Sequence, residues 1–356
     1  MTPMEIITDP PQVEPDSARS QTHTLAGLEP DNILSILSIL GMLRALEVQS
    51  PAWGCRVRWN CESGPLLPML QLDEPKTECE VAEGLAAGCQ LLAVDYVFPS
   101  LGKDFEFPKL TAETAQQHLR TAIAAGPEQR PRLDLFASLF SESVVGPKGT
   151  VSPTPLCLLF GQGHQFFLER LSLAAHMQGL RLNGKRSQGR APSAFMRRAL
   201  FRQWERADVG PSLRWDTGHW DRQWFDRFSD PATDPVKTEA GAYTLAAFGL
   251  AMLTVCAVSV KHRRRLSCLC VREDGFELSV VWPIWTRWLS LQGLKALLSH
   301  PAVFQDPSDH RAWERLGVRE TRWSRRFEVG KYRAFRRGIA LHAAPPFGPP
   351  GEENQT

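Results

Sequence analysis

No two of the eight cysteines stand at Cys-x-x-Cys spacing. Cys268 and Cys270 come nearest. As alternate residues of a strand they share one face, and no second pair completes a tetrahedral zinc site. Free buried thiols are the expectation. Also lacking are a Gly-x-Ser-x-Gly elbow for a nucleophilic serine and a His-Glu-x-x-His zinc-hydrolase helix. Neither Gly161-Gln162-Gly163 nor Gly146-Pro147-Lys148-Gly149-Thr150 has the spacing and the Gly-Lys-Ser/Thr ending of a phosphate-binding P-loop. The acidic, proline-punctuated start has no basic segment leading into an apolar core, so no secretory signal and a reducing cytoplasm are expected. No internal repeat is found. These absences leave no catalytic constellation and call for no cofactor and no metal.

What the chain does have is charge set out unevenly. The net charge of +2 over 356 residues hides an acidic beginning and a basic middle. Residues 1–110 hold seven lysines and arginines against sixteen acidic residues. Between residues 181 and 206, Arg181, Lys185, Arg186, Arg190, Arg197, Arg198, Arg202 and Arg206 face Glu205 alone, and from Arg311 to Arg337 ten basic residues face Glu314, Glu320 and Glu328. A polyanion-facing surface is one reading of such asymmetry. Charges that solvate helix faces, their stems covering apolar surface, are the other.

Hydropathy patterning predicts an α+β fold of mixed helices and short antiparallel sheets in an irregular, multi-lobed arrangement. Residues 1–23 and the proline-rich 341–356 read as disordered tails, 24–150 as an N-terminal α+β domain, and 151–340 as a C-terminal α+β domain with basic surfaces. Asp31 can cap a helix whose apolar positions from Ile33 to Leu46 surround most of its circumference, which predicts burial. Cys55–Trp59 alternates as a strand with Leu66–Leu72 as its partner. Helical patterns follow at Glu78–Cys89 and Ala112–Ala125, with a strand between them at Leu91–Phe98. Leu156–Phe160 reads as a strand that turns into a helix from about Gln165 to Gln178. Leu182–Pro192 reads as a mobile loop, followed by a helix bearing Phe195, Met196, Leu200 and Trp204. Tyr243–Val260 is uncharged over 18 residues. Its β-branched second half suits a buried helix followed by a strand better than a membrane span. Phe276–Trp282 is a further strand and Leu291–Leu298 a short helix.

Three places are candidates for chemistry. Gly161 and Gly163 allow a phosphate to approach the amides that open the next helix, with His164 and Gln165 beside it, although a plain tight turn explains the same glycines. Asp216, His219 and Asp221 cluster around Trp215 and Trp220, as a metal-dependent nuclease site or as a surface hydrogen-bond network. Basic residues interleaved with aromatics form the third group: Arg197, Arg198, Arg202, Trp204 and Arg206, then Trp313, Arg315, Arg322, Trp323, Arg325, Arg326, Tyr332, Arg333, Phe335, Arg336 and Arg337. Arginine forks bind phosphates and aromatic faces stack on bases.

Leu25-Ala26-Gly27-Leu28-Glu29-Pro30-Asp31-Asn32 leads into Leu40-Gly41-Met42-Leu43-Arg44-Ala45-Leu46-Glu47, and Gly161-x-Gly163-His164-Gln165-x-Phe167-Leu168 follows. Then come Leu213-Arg214-Trp215-Asp216, Asp221-Arg222-Gln223, the Gly241–Leu250 segment and Trp282-Pro283-Ile284-Trp285 before Leu289-Ser290-Leu291. In this order they resemble the large-subunit-like proteins of type I CRISPR effectors, subtype U/G, over roughly residues 25–303. The resemblance implies a non-catalytic subunit of a crRNA-guided surveillance complex in antiviral defence. Its partners would be crRNA, target double-stranded DNA, other effector subunits and a separate helicase-nuclease, with no membrane association. Such a subunit helps to read the motif that flanks the target and to open the duplex. Contacts to the nucleic-acid backbone are then expected from Lys185, Arg186, Arg190, Arg197, Arg198, Arg202, Lys261, Arg263, Arg264 and Arg265, with His164 and Gln165.

Overall fold

The computed structural model describes residues 19–62, 64–98, 105–146, 148–159, 166–178, 181–182, 185–186, 191–218, 237–260, 263–274, 277–304, 310–329 and 332–343. Two helices that are apolar on every side form its centre. Helix α1 (Ile33–Gln49) is buried at every position from Ile33 to Leu46, and α7 (Ala240–Leu250) along its whole length. Neither has an amphipathic stripe, because each is covered all round by other elements. They cross at two glycines. A Cβ on Gly41 would stand 1.7 Å from the Leu245 carbonyl oxygen, and one on Gly249 1.9 Å from that of Leu37, so this approach is open to glycine alone. Polar atoms at the crossing are satisfied by backbone carbonyls. Ser38 Oγ donates to Ala242 O at 2.9 Å, Arg44 Nη1 to Phe248 O at 3.1 Å and Tyr96 OH to Ala247 O at 2.7 Å.

Around this pair lie α2 (Glu78–Ala93), α5 (Phe167–Ala175) and α6 (Pro192–Phe201), with α3 (Ala112–Ala124) and α4 (Arg130–Leu139) beyond. Helix α2 starts from a capping box in which Thr77 and Glu80 each accept the other's backbone N–H. Among the described residues four antiparallel sheets flank the helices. The first runs in the order β1 (Ser20–Thr24), β3 (Pro68–Lys76), β2 (Arg56–Trp59). A four-stranded ribbon has the order β5 (Lys185–Arg186), β4 (Arg181–Leu182), β6 (Asp208–Val209), β7 (Lys237–Thr238). Strands β8 (Val255–Val260) and β9 (Arg263–Cys268) form a hairpin. The largest sheet joins β10 (Val271–Asp274), β11 (Glu277–Trp285) and the long β12 (Val318–Val329). One edge of β12 is shared end to end by β14 (Ile339–Ala343) and β13 (Tyr332–Phe335). Helices α8 (Leu291–Ser299) and α9 (His310–Leu316) connect β11 to β12.

The α+β class is as expected, and several local expectations are corrected. The cap of α1 is Asn32, whose side chain accepts from Leu34 N, while Asp31 pairs with Arg337. Leu91–Phe98 is no strand: α2 continues to Ala93 and ends in a 3-10 turn at Val94–Tyr96, which presents Tyr96 to α7. Leu156–Leu159 is fully buried but joins no ladder. β1, whose residues 20–23 were expected in the N-terminal tail, pairs with β3, and β14 occupies 339–343 where a tail was expected from 341. Residues 1–18 and 344–356 lie outside the described residues, as does most of the 182–192 loop. The division at residue 150 does not divide the core. One continuous apolar cluster runs from Leu25 to Phe335, because α1 finds its partner in α7, some two hundred residues on. Tyr243–Val260 is helix then strand, and among the described residues no helix is long and apolar enough to cross a membrane.

Candidate nucleic-acid interface

The basic run on α6 faces inward. Arg198 is nearly buried and grips two carboxylates at once, Glu239 Oε1 from Nε at 2.7 Å and Asp208 Oδ2 from Nη2. Asp208 Oδ2 also accepts the Ala240 amide at 3.0 Å, so this cluster fixes the start of α7. Burial lowers the basicity of Arg198, but the charges of Glu239 and Asp208 more than offset it and the pKa is raised. Arg197 Nε and Arg202 Nη1 converge on Glu78 Oε2 at 3.5 and 3.1 Å and tie α6 to the first residue of α2. Arg198 is therefore withdrawn from the expected phosphate contacts, and Arg197 and Arg202 are engaged in the same tie. A basic run on an exposed-looking helix thus serves the helix's own acidic neighbours.

Asp216 is corrected likewise. It is 2% exposed, so the expected surface network is a buried one. Its Oδ2 receives Arg206 Nε at 2.7 Å, and its Oδ1 receives Asn32 Nδ2 at 2.8 Å and Gly218 N at 3.0 Å. Arg206 reaches Glu29 as well, where Arg337 joins it after pairing with Asp31 at 2.9 Å. Both oxygens of Asp216 are thus engaged, Oδ1 by the N-cap residue of α1 and Oδ2 by Arg206. His219 and Asp221 lie outside the described residues. Among the described residues no three His, Cys, Asp or Glu side chains gather as a metal site.

The helix N-terminus expected to receive a phosphate is already occupied by the chain's own carboxylate. Glu106, 2% exposed, accepts the Glu169 amide at 2.9 Å in the first turn of α5. His164 and Gln165 lie outside the described residues. Burial pushes the Glu106 carboxyl up to about 7, against the lowering effect of the amides of Glu169, Leu168 and Phe107. A carboxyl whose native pKa exceeds its usual 4.5 favours folding when protonated. That contribution is whole below pH 4.5 and is lost as pH rises through 7. Glu106→Gln, which keeps an accepting oxygen and removes the charge, is expected to melt above the wild type at pH 8 by the equivalent of about 3 kcal/mol. The difference should close towards pH 4.5. Parallel melting curves across that range check it.

Arginines that do face solvent lie on the sheets. The cluster after β8 sits at a hairpin end, with Ser259 opposite Arg264 and Val258 opposite Arg265. Arg264 is exposed, and its Nη1 donates to the Ser143 carbonyl at 3.5 Å. Arg263 is a backbone partner of Val260, whereas Lys261 lies outside the described residues. Lys185 and Arg186 form β5, whose side chains are not among those described, and Arg190 lies outside altogether.

Residues 311–337, one reading of which was amphipathic helix, hold the strands β12 and β13 after the short helix α9. Trp313 and Phe335 are core residues, 1% and 0% exposed. Arg322 pairs with Glu320, and Arg326 and Arg333 share Glu328 at 3.5 and 2.9 Å. Arg325 and Arg336 remain exposed. They stand side by side, since Arg336 N donates to Arg325 O at 3.1 Å, and the Arg336 guanidinium lies 5.5 Å over the Phe327 ring. A second basic and aromatic group was not singled out from the sequence. Arg58 lies 4.9 Å over the Trp288 ring, next to exposed Arg287, and the Thr286 amide donates to Gly317 O two residues before Arg319. The adjacent Arg287-Trp288 was the available signal, but its partners come from β2 and β12. A comparison with protein-family models, with curated proteins and with solved structures finds no match.

Proposed function

We propose that this chain is a non-catalytic subunit that grips a nucleic-acid backbone, of the kind implied by its resemblance to the large-subunit-like proteins of type I CRISPR effectors. In that setting it holds crRNA or target double-stranded DNA beside other effector subunits and supports a separate helicase-nuclease. The observation that carries the reading is the β12–β13 hairpin, where Arg326 and Arg333 share Glu328 while Arg325 and Arg336, side by side across the ladder, are exposed. Exposed guanidinium groups on a rigid ladder bind phosphates through charge and paired donors. The hairpin end at Arg264 and Arg265 adds further positive charge.

Affinity for a labelled duplex or a short RNA should fall linearly in log–log form as salt rises. The double variant Arg325→Glu with Arg336→Glu is expected to lower the salt slope by about 2, because each phosphate contact contributes close to one unit. Both residues are exposed, so the variant should melt like the wild type. Unchanged affinity and slope in the folded variant would remove this hairpin from the interface, and binding indifferent to salt would sink the reading itself.

A further inference from the structure

Beside α2 lies a cavity of about 410 Å³ that the nucleic-acid reading does not use. Its origin is legible in the helix. Gly88 presses α2 against α1, where a Cβ would stand 2.1 Å from Ala45 O. At 100° per residue Ala86, Gln90 and Ala93 lie on the opposite side, with Cys89 at its margin. Three of these four side chains are small, and the ends of α5 and α6 do not close over them. Ala175 and Met196 complete the floor, 3% and 0% exposed. Val94 and Val97 stand at the mouth, 66% and 57% exposed.

Among the described residues the lining carries no charge. Its polar side chains are Gln90, at the exposed edge, and His176, whose Nδ1 donates to Ser172 O at 2.8 Å and leaves Nε2 as the ring's accepting atom. We propose that this cavity binds an uncharged, largely apolar small molecule that carries one hydrogen-bond donor. Ions are disfavoured because nothing in the lining offsets their desolvation. Water finds few partners against alanine, valine and methionine. The volume is that of an ordinary ligand site, and an apolar guest covers the two mouth valines that the fold leaves in solvent.

Nile red, uncharged and fluorescent in apolar surroundings, reports occupancy of the cavity on the full chain, and 1-naphthol, whose hydroxyl supplies the donor, tests the assignment as its competitor. Saturable one-to-one binding is expected, with Kd on the order of 1–10 µM from the usual ligand efficiency of molecules of its size. 1-Naphthol should displace it. Ala86→Phe fills the cavity from its wall, and Val94→Asp sets a charge at the mouth. Each is expected to weaken binding at least tenfold without lowering the melting temperature. Binding that does not saturate, or that is equal in wild type and a folded Val94→Asp variant, overturns the proposal. Should Ala86→Phe fail to fold, Val94→Asp decides alone, since its side chain stands in solvent.

Discussion

Gly41→Ala is expected to destabilise the protein by about 3 kcal/mol or more, and Gly41→Val to prevent folding. The added Cβ would lie 1.7 Å from the Leu245 carbonyl oxygen, and backbone cannot swing aside as the end of a flexible side chain can. Separating α1 from α7 would relieve the overlap, but it would also break the Ser38 and Arg44 hydrogen bonds to α7 and open the centre of the core. Overpacking a tight site ordinarily costs about 1–3 kcal/mol. A clash with main chain at the middle of the core belongs at or above that upper end. Gly249→Ala should behave alike, at 1.9 Å from Leu37 O. Gly293→Ala is the contrast. Its Cβ would meet nothing nearer than 3.5 Å, so it should be neutral or stabilising by about 0.5–1 kcal/mol through helix propensity. Urea midpoints of the three variants check the ranking, and a Gly41→Ala variant as stable as Gly293→Ala would show that the crossing is not tight.

Arg198→Ala should cost about 3–5 kcal/mol, the range for removing one partner of a buried ion pair. Asp208 and Glu239 are 1% and 0% exposed, and one oxygen of each, Asp208 Oδ1 and Glu239 Oε2, finds no hydrogen-bond partner among the described residues. Without the guanidinium, two like charges remain in the core at the start of α7. Burial already raises the Glu239 pKa against the lowering effect of Arg198, so loss of Arg198 should raise it further. Protonation then relieves the variant, and its deficit against wild type should shrink as pH falls from 8 to 5. Replacing all three, with Arg198→Met, Asp208→Asn and Glu239→Gln, should recover most of the loss. Arg197→Ala, whose pairing with Glu78 is longer, should cost no more than about 1 kcal/mol. If Arg198→Ala were equally mild, Arg198 would return to the list of residues free to meet a phosphate.

The elements legible in the sequence were those with a local signal. The apolar circumference of Ile33–Leu46 announced a buried helix, and β-branched Thr254–Val260 announced a strand after α7. The arginine-rich 318–337 segment was not legible as strand. Its pattern is set by cross-strand neighbours, such as Trp282 opposite Arg322 and Ser279 opposite Arg325, that lie some forty residues earlier. Candidate site residues suffered most. Arg197, Arg198 and Arg202 looked like a solvent-facing basic stripe because their carboxylates, Glu78, Asp208 and Glu239, stand on other elements. Asp216 looked available because Asn32 is 184 residues away. Arg58 and Trp288 drew no notice because each is unremarkable alone.

The sequence by itself determined the mixed class of fold, the two helices with apolar residues all round, the absence of familiar catalytic motifs and the uneven placing of charge, since each depends on residue type and short spacing. Tertiary structure alone decided that Gly41 meets Gly249, that Glu106 fills the helix end expected to hold a phosphate, and which arginines are spent inside. The physical reason is range. Helix and strand periodicity is written within a few residues, whereas a charge is free or neutralised according to what stands within about 4 Å of it, and the fold alone brings those groups together.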